Sequence, residues 1–583
     1  MHRPTRRITS AALAAASIGG TAGCASNPFA EDPLDTDTVA TRDRLRSIAV
    51  FDLERARAQD PTPDGDDADA ALSDTVERSR ERYEQRESVE LSLVEARRAA
   101  LSNNLGLDAT LIAPEIAAER VNQEWAQFES AFTLGASYSE TDTPTASTLV
   151  GSQGENTAVT PGVRIPLLTG GTATIEIPFR RRATNNPFST LNPSYEADLE
   201  LSLSHDLLRG AGRRATTHAI RLAEYDRQIS GAQTKLEVIS VLASVDRAYW
   251  RLYAAFEALR VVEQQYEVAI AQLERAQRLL DAGQGTEVDV IRARSGAASR
   301  VEAIISAQND IRLRQRELKR LINIPGLDVE TATRLTVSSP PDPVRYAFEP
   351  ARLTDQALEK RMEMLELEIR LARDAASIGF ARNQKLPLLA LNYTYRVNGL
   401  AGSLGNAVDN ASQNNFEDWA VSLNAEFPIG NERAKASLAQ SILSRLQTLS
   451  TRDARAQTIT SEVHDAIDQL ESTWQRILAT REAVVLNTRL LEAERRQFEV
   501  GRSTSTDVLD ADANLAQARL DEIRAVVDYQ IAQIDLAVAT GTLLGQARIE
   551  LPGDRRMDDE DAIDRATEGV PDYNPLSGTI IDP

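Results

Sequence analysis

The residues best placed to do chemistry are acids that follow two glycines. Asp507 and Asp510 stand three apart in GRSTSTDVLDA after Gly501, so a helix there carries both on one face. Asp289 holds the matching place in GQGTEVDV after Gly283. Carboxylates crowded together repel one another, which raises some of their pKa values and creates a field that retains cations and repels anions. An acid in a first helical turn also meets the positive end of the helix dipole. Asp507 therefore reads as a cap, whereas Asp510 is not needed for one.

A second reactive position is Cys24, the sole cysteine, at the end of MHRPTRRITSAALAAASIGGTAGC. Three arginines followed by a short run of small apolar residues form an export signal, because the run falls far short of the roughly 20 residues that span a bilayer. The TAGC ending resembles a lipobox, with Ala22 and Gly23 in the small positions and Thr21 where Leu is usual. Residues 1–24 are thus expected to be a signal whose cysteine becomes lipidated; the other reading is a cleaved signal with an incidental cysteine. Either takes the chain out of the cytoplasm. A single cysteine forms no intramolecular disulfide, so packing and assembly must supply the stability.

Other chemistries find little support. His2, His205, His218 and His464 are scattered without partners at metal-ligand spacing, so no metal site is assigned. No phosphate-binding loop, nucleophile elbow or paired-carboxylate site is present, and neither an enzyme nor a cofactor is expected. With 65 basic against 87 acidic residues the chain has a formal charge of −22, which leaves no basic footprint for nucleic acid.

The elements that must position the acids are long helices. Aromatics make up only 5% of the chain, and its long Ala-, Arg-, Leu-, Glu- and Gln-rich stretches lack the Gly and Pro punctuation of separate globules. A shift of 218 residues lays one half on the other: Val245, Leu252, Phe256, Leu259, Leu273 and Leu280 fall on Val463, Leu470, Trp474, Ile477, Leu491 and Phe498. Gly283, Thr286, Asp289 and Val290 then fall on Gly501, Thr504, Asp507 and Val508.

Within each half apolar residues alternate at four and three, the 3.5-residue period of coiled-coil packing. Val245, Tyr249, Leu252, Phe256, Leu259, Glu263, Tyr266 and Ile270 form one seam before Gly283. After it the return seam is Ala297, Val301, Ile304, Gln308, Ile311, Gln315, Leu318 and Ile322. Each half is a long helix, a tip turn at Gly283 or Gly501, and a returning helix. The first is expected to run unbroken from about Arg213 to Asp281.

Ahead of the long helices the period changes to two. Phe132–Ser139, Tyr195–Ser204, Leu389–Asn398 and Trp419–Phe427 alternate apolar with charged or hydroxylated residues. Such segments suit a membrane barrel with a wet lumen, and also a soluble sheet covered on one side. Four strands cannot close a barrel, and an open edge in lipid leaves backbone groups unpaired, so closure demands oligomerisation; three copies give twelve strands. An additional hairpin is expected at Val163–Leu168 and Thr172–Phe179. It either decorates the extracellular mouth or adds strands to the wall.

From about Glu90 to Leu551 the sequence resembles the TolC family of outer-membrane efflux proteins. The tandem order carries the resemblance, with LLRGAGRR at Leu207–Arg214 and FPIGNERAKA at Phe427–Ala436 like the family's strand exits, and AGQGTEVDV and VGRSTSTDVLDA like its tip turns. It implies a mainly α tandem-repeat fold, in which coiled-coil helices form a periplasmic α-barrel and strands contribute to a trimeric membrane β-barrel. The expected division is a signal to residue 24, an acidic tether at 25–85, a first repeat at 86–330, a linker at 331–349, a second repeat at 350–549 and an acidic, disordered tail at 550–583.

The resemblance also implies a homotrimer in outer-membrane lipid, working with a periplasmic adaptor and an inner-membrane pump in efflux or type I secretion. By matched position Asp507 and Asp510, with Asp289, would line the periplasmic constriction. The family's latch arginine matches Ser503, with Arg502 adjacent as the candidate. A contrasting reading is a periplasmic coiled-coil envelope scaffold without a pore, which the four amphipathic segments disfavour.

Overall fold

The computed structural model describes residues 87–146, 150–500 and 502–549. Cys24, the tether, Gly501 and the acidic tail lie outside the described residues.

The first repeat opens with β1 (Ser88–Leu91), α1 (Leu93–Asn103), α2 (Leu105–Leu111) and α3 (Ala113–Trp125). Strands β2 (Ala131–Asp142), β3 (Gln153–Leu167), β4 (Gly171–Glu176), β5 (Phe179–Thr184), β6 (Ser194–Ala197) and β7 (Leu199–Asp206) follow. The chain then enters α4 (Arg213–Thr216), α5 (His218–Asp281) and α6 (Glu287–Ile322). Strand β8 (Arg334–Val337) lies in what the sequence predicts as a linker.

The second repeat is α7 (Pro350–Lys360), α8 (Met362–Gln384), β9 (Leu388–Val397), β10 (Leu400–Ala401), α9 (Leu404–Ser412), β11 (Glu417–Glu426), α10 (Glu432–Glu499), α11 (Ser505–Ala539) and α12 (Leu543–Gln546). The tandem order is as the duplication predicts. Among the described residues no helix is long and apolar enough to cross a membrane.

At 1.5 Å per residue the 64-residue α5 runs about 96 Å and the 68-residue α10 about 102 Å. Thr217 separates α4 from α5, so the predicted unbroken start at Arg213 is corrected by one turn. All eight residues of the predicted return seam on α6, from Ala297 to Ile322, are buried. Along α5 the seam holds from Val245 to Leu259 except at the half-buried Phe256, then shifts: Val262, Gln265 and Ala269 are buried in place of Glu263, Tyr266 and Ile270. A straight helix of 3.6 residues per turn drifts about 20° per heptad from a 3.5 repeat, so its buried stripe walks sideways over such a length.

Midway along the long helices short elements wrap the bundle. β1 and β8 pair in parallel, and the buried Tyr249 hydroxyl donates to the Leu91 carbonyl at 3.1 Å while accepting the Ser339 N–H at 2.8 Å. In the second repeat Arg361, at the break between α7 and α8, is almost wholly enclosed and pairs with Glu363 and Glu462. Arg455 bridges the same two acids, at 2.8 Å and 3.3 Å.

The large sheet is antiparallel. β4 and β5 lie end to end along β3, β6 and β7 lie end to end along them, and β10 prolongs β9 in the same register. β2 pairs with β3 at one edge and β11 with β9 at the other. One cross-strand row reads Phe132, Val163, Ile175, Leu201, Tyr395 and Trp419; the next reads Thr133, Gly162, Glu176, Glu200, Arg396 and Asp418. Successive side chains point to opposite faces, so one face is apolar and the other polar. The apolar face is uncovered: Phe132 is 71% exposed and Trp419 67%. On the polar face Arg396 donates to Glu200 at 2.6 Å.

Candidate functional site

Each tip is built by backbone geometry that its residue types dictate. Gly283 ends α5 at φ +70°, a left-handed conformation that glycine adopts without steric cost. The N–H groups of Gln284 and Gly285 both donate to the Leu279 carbonyl, at 2.8 Å and 2.9 Å. A Cβ at Gly285 would stand 3.0 Å from the Leu280 nitrogen. At the second tip Arg502 N–H donates to the Gln497 carbonyl at 2.8 Å, the bond that Gln284 makes to Leu279 at the first.

The return helices start with reciprocal caps. Thr286 Oγ1 accepts the Asp289 N–H at 3.2 Å, and Asp289 Oδ2 accepts the Thr286 hydroxyl at 2.6 Å and its N–H at 3.2 Å. Thr504 and Asp507 do the same: Asp507 Oδ2 accepts the Thr504 hydroxyl at 2.7 Å and its N–H at 2.8 Å. These bonds hold both carboxyls below the ordinary aspartate range, the threonine hydroxyl first and its N–H second. Asp289 is thus a capping acid too, a role the sequence reading assigns only to Asp507.

Ser503, at the position where a latch arginine is expected, serves a different purpose. Its hydroxyl lies 2.7 Å from Glu494 Oε2 and 3.2 Å from Asp507 Oδ2, tying the turn to α10 within the chain. Asp510 is exposed one turn beyond the cap. Arg502 is exposed, and among the described residues its guanidinium has no ion pair. Among those residues no hydrogen bond joins Asp289 to Asp507 or Asp510.

By the same 218-residue shift Arg292, exposed in α6, holds the place that Asp510 holds in α11, a position the sequence pattern alone does not single out. One tip thus presents two acids on its outer face and the other an acid and a base. Behind the tips Arg275 lies 4.4 Å over the Phe498 ring, joining α5 to α10. Arg495 approaches the mostly enclosed Asp512 at 3.8 Å, and burial still pushes the Asp512 carboxyl up.

Comparison with known proteins matches this architecture. The description "Outer membrane efflux protein" fits residues 179–323 and 353–542, more than half of the chain. The chain therefore belongs to the outer membrane efflux protein family, whose members are outer-membrane channels with a periplasmic helical portion. It is 23% identical to the outer membrane protein TolC of Vibrio cholerae over 357 residues, covering 60% of this chain and 78% of that protein. It is 24% identical to the probable efflux pump outer membrane protein TtgC of Pseudomonas putida over 376 residues, covering 63% and 72%. The solved CmeC outer membrane channel of Campylobacter jejuni shares the fold at a TM-score of 0.57 and 17% identity, covering 77% of this chain and 86% of that one.

Proposed function

We propose that the chain is one subunit of a trimeric, passive conduit that carries solutes from the periplasm to the exterior. One observation supports this above others: a sheet apolar on one face, polar on the other and, among the described residues, unpaired at both edges, joined to helices of 64 and 68 residues. Unpaired edges are not tolerated in hydrocarbon, so β2 of one subunit pairs with β11 of the next and closes a barrel. α10 agrees, because Leu443, Leu446 and Leu486 remain more than half exposed in the single chain and would be covered by a neighbour.

The tips then converge at the periplasmic end. Asp507 and Asp510, with Asp289, form a cation-favouring constriction, and Arg502 is the candidate latch. Lipidation of Cys24 anchors the mature N-terminus. The energy is supplied by an inner-membrane pump reached through a periplasmic adaptor; the relative TtgC is named a probable efflux pump outer membrane protein.

Native mass measurement and cross-linking of the detergent-extracted protein test the proposal. Three subunits are expected. A monomer without membrane association would return the chain to the scaffold reading, which offers no use for an uncovered apolar sheet face.

A further inference from the structure

The hairpin predicted around residues 163–179 is not an ornament on the sheet. β3 lies between β2 and the β4–β5 line, and that line lies between β3 and the β6–β7 line, so β2 does not pair with β7. Counted as continuous lines, the sheet is six strands wide: β2, β3, β4 with β5, β6 with β7, β9 with β10, and β11. The apolar row crosses the hairpin without a gap, through Val163 and Ile175, as does the polar row through Gly162 and Glu176. Its turn is also fixed at the end of the sheet that bears the helices. Asp206 N–H donates to the Gly170 carbonyl at 3.0 Å, Gly212 N–H to Thr169 at 2.8 Å, and the Thr216 hydroxyl to Leu168.

We infer that the assembled wall has eighteen strands, six from each subunit, and encloses a lumen wide enough for bulky solutes or an extended polypeptide. The inference rests on the trimeric conduit proposed above. Strands 4.8 Å apart and tilted by about 40° give a backbone radius of about 18 Å for eighteen strands, against about 12 Å for twelve. After side chains, the open radius roughly doubles, from about 6 Å to about 12 Å.

The junction with the helices gives an independent reason for this width. Four helices per subunit lead directly into or out of the strands: α3 into β2, β7 into α5 through α4, α8 into β9, and β11 into α10. Twelve helices packed about 9–10 Å apart form a ring about 110–120 Å around. Eighteen tilted strands measure about 110 Å around and twelve only about 75 Å. The β3–β4 hairpin adds wall without adding a helix, so the two rings meet at matching circumference.

Electron cryomicroscopy of the detergent-extracted trimer tests the strand count directly. Eighteen strands in cross-section are expected. Twelve, with residues 153–184 folded outside the wall, would overturn the inference and leave the conduit intact; particles without threefold symmetry would instead overturn the conduit. A second measurement needs no high-resolution map. In outer-membrane vesicles, cysteine at Arg164 or Thr174 should react with a water-soluble maleimide, whereas cysteine at Val163 or Ile175 should react at least tenfold more slowly, the parent chain's own labelling being subtracted. Equal reactivity at all four positions in intact trimers would place the hairpin in water and refute the wider wall.

Discussion

Arg97 grips Asp246 with two parallel hydrogen bonds, Nε to Oδ1 at 2.8 Å and Nη2 to Oδ2 at 2.7 Å, and the aspartate side chain is wholly enclosed. The bond fastens α1 to the middle of α5. Burial pushes the Asp246 carboxyl up against the pull of Arg97, so its ionised form depends on that partner. Arg97→Ala should therefore cost about 3–5 kcal/mol, and the double change Arg97→Met with Asp246→Leu far less, because it leaves no buried charge. Heat dissociation of extracted trimers at neutral pH distinguishes the variants. Equal losses for the single and double changes would mean that the site acts through packing alone.

Asp512 carries the opposite prediction. Its carboxyl is pushed up by burial, with Arg495 opposing. A carboxyl whose folded pKa exceeds its unfolded one weakens the fold as pH rises through the interval between them, and the loss persists at neutral pH. Asp512→Asn should accordingly raise the dissociation temperature at pH 7 and leave it unchanged well below the ordinary carboxylate range. A variant less stable at pH 7 would mean that the Arg495 pair outweighs burial.

The helices and four of the strands were legible because each signal repeats many times. The α6 seam follows from one spacing held over eight residues, and the alternation in β9 and β11 from ten-residue strands. The hairpin was only half legible. Its strands reach out to Gln153 and Thr184, where FRRRAT shows no alternation; there Arg181 pairs with Glu155 at 3.3 Å and Arg182 with Glu196 at 3.2 Å. Cross-strand charge pairing satisfies such residues but leaves no mark on local period. β1 and β8, four residues each, are too short to show a period and gain meaning only from a partner far along the chain. At the tips the duplication points to Asp289, whereas Arg292 lies beyond the last alike pair, Val290 and Val508, and is matched by an acid in the other half.

Gly283 provides a local test of the tip. At φ +70° an alanine is strained by about 1–2 kcal/mol, whereas asparagine tolerates this region better. Gly283→Ala should loosen the first tip and raise its amide exchange around Gln284 and Gly285, and Gly283→Asn should do so less. Identical exchange in both variants and the parent would show that the turn does not need the left-handed residue.

The tip acids can be separated by whether they serve the cap. Asp507 accepts the Thr504 N–H and hydroxyl and its carboxyl is depressed, so its contribution to the fold is present above the unfolded pKa and is lost as pH falls through the folded one. Asp510 lies outside those bonds. Asp510→Asn should therefore weaken cation preference and block by multivalent cations in planar-bilayer recordings, at unchanged heat stability. Asp507→Asn should weaken both selectivity and the fold at neutral pH. With both changed, a trimer loses six charges, and the largest loss of selectivity is expected. The basic residues provide the control. Arg502→Ser should raise conductance if that guanidinium latches the closed entrance, and Arg292→Ser should strengthen cation preference by removing the positive charge beside Asp289. If selectivity and block are unaltered in the double Asn variant while trimers stay intact, both aspartates are capping or surface residues and the constriction lies elsewhere along the conduit.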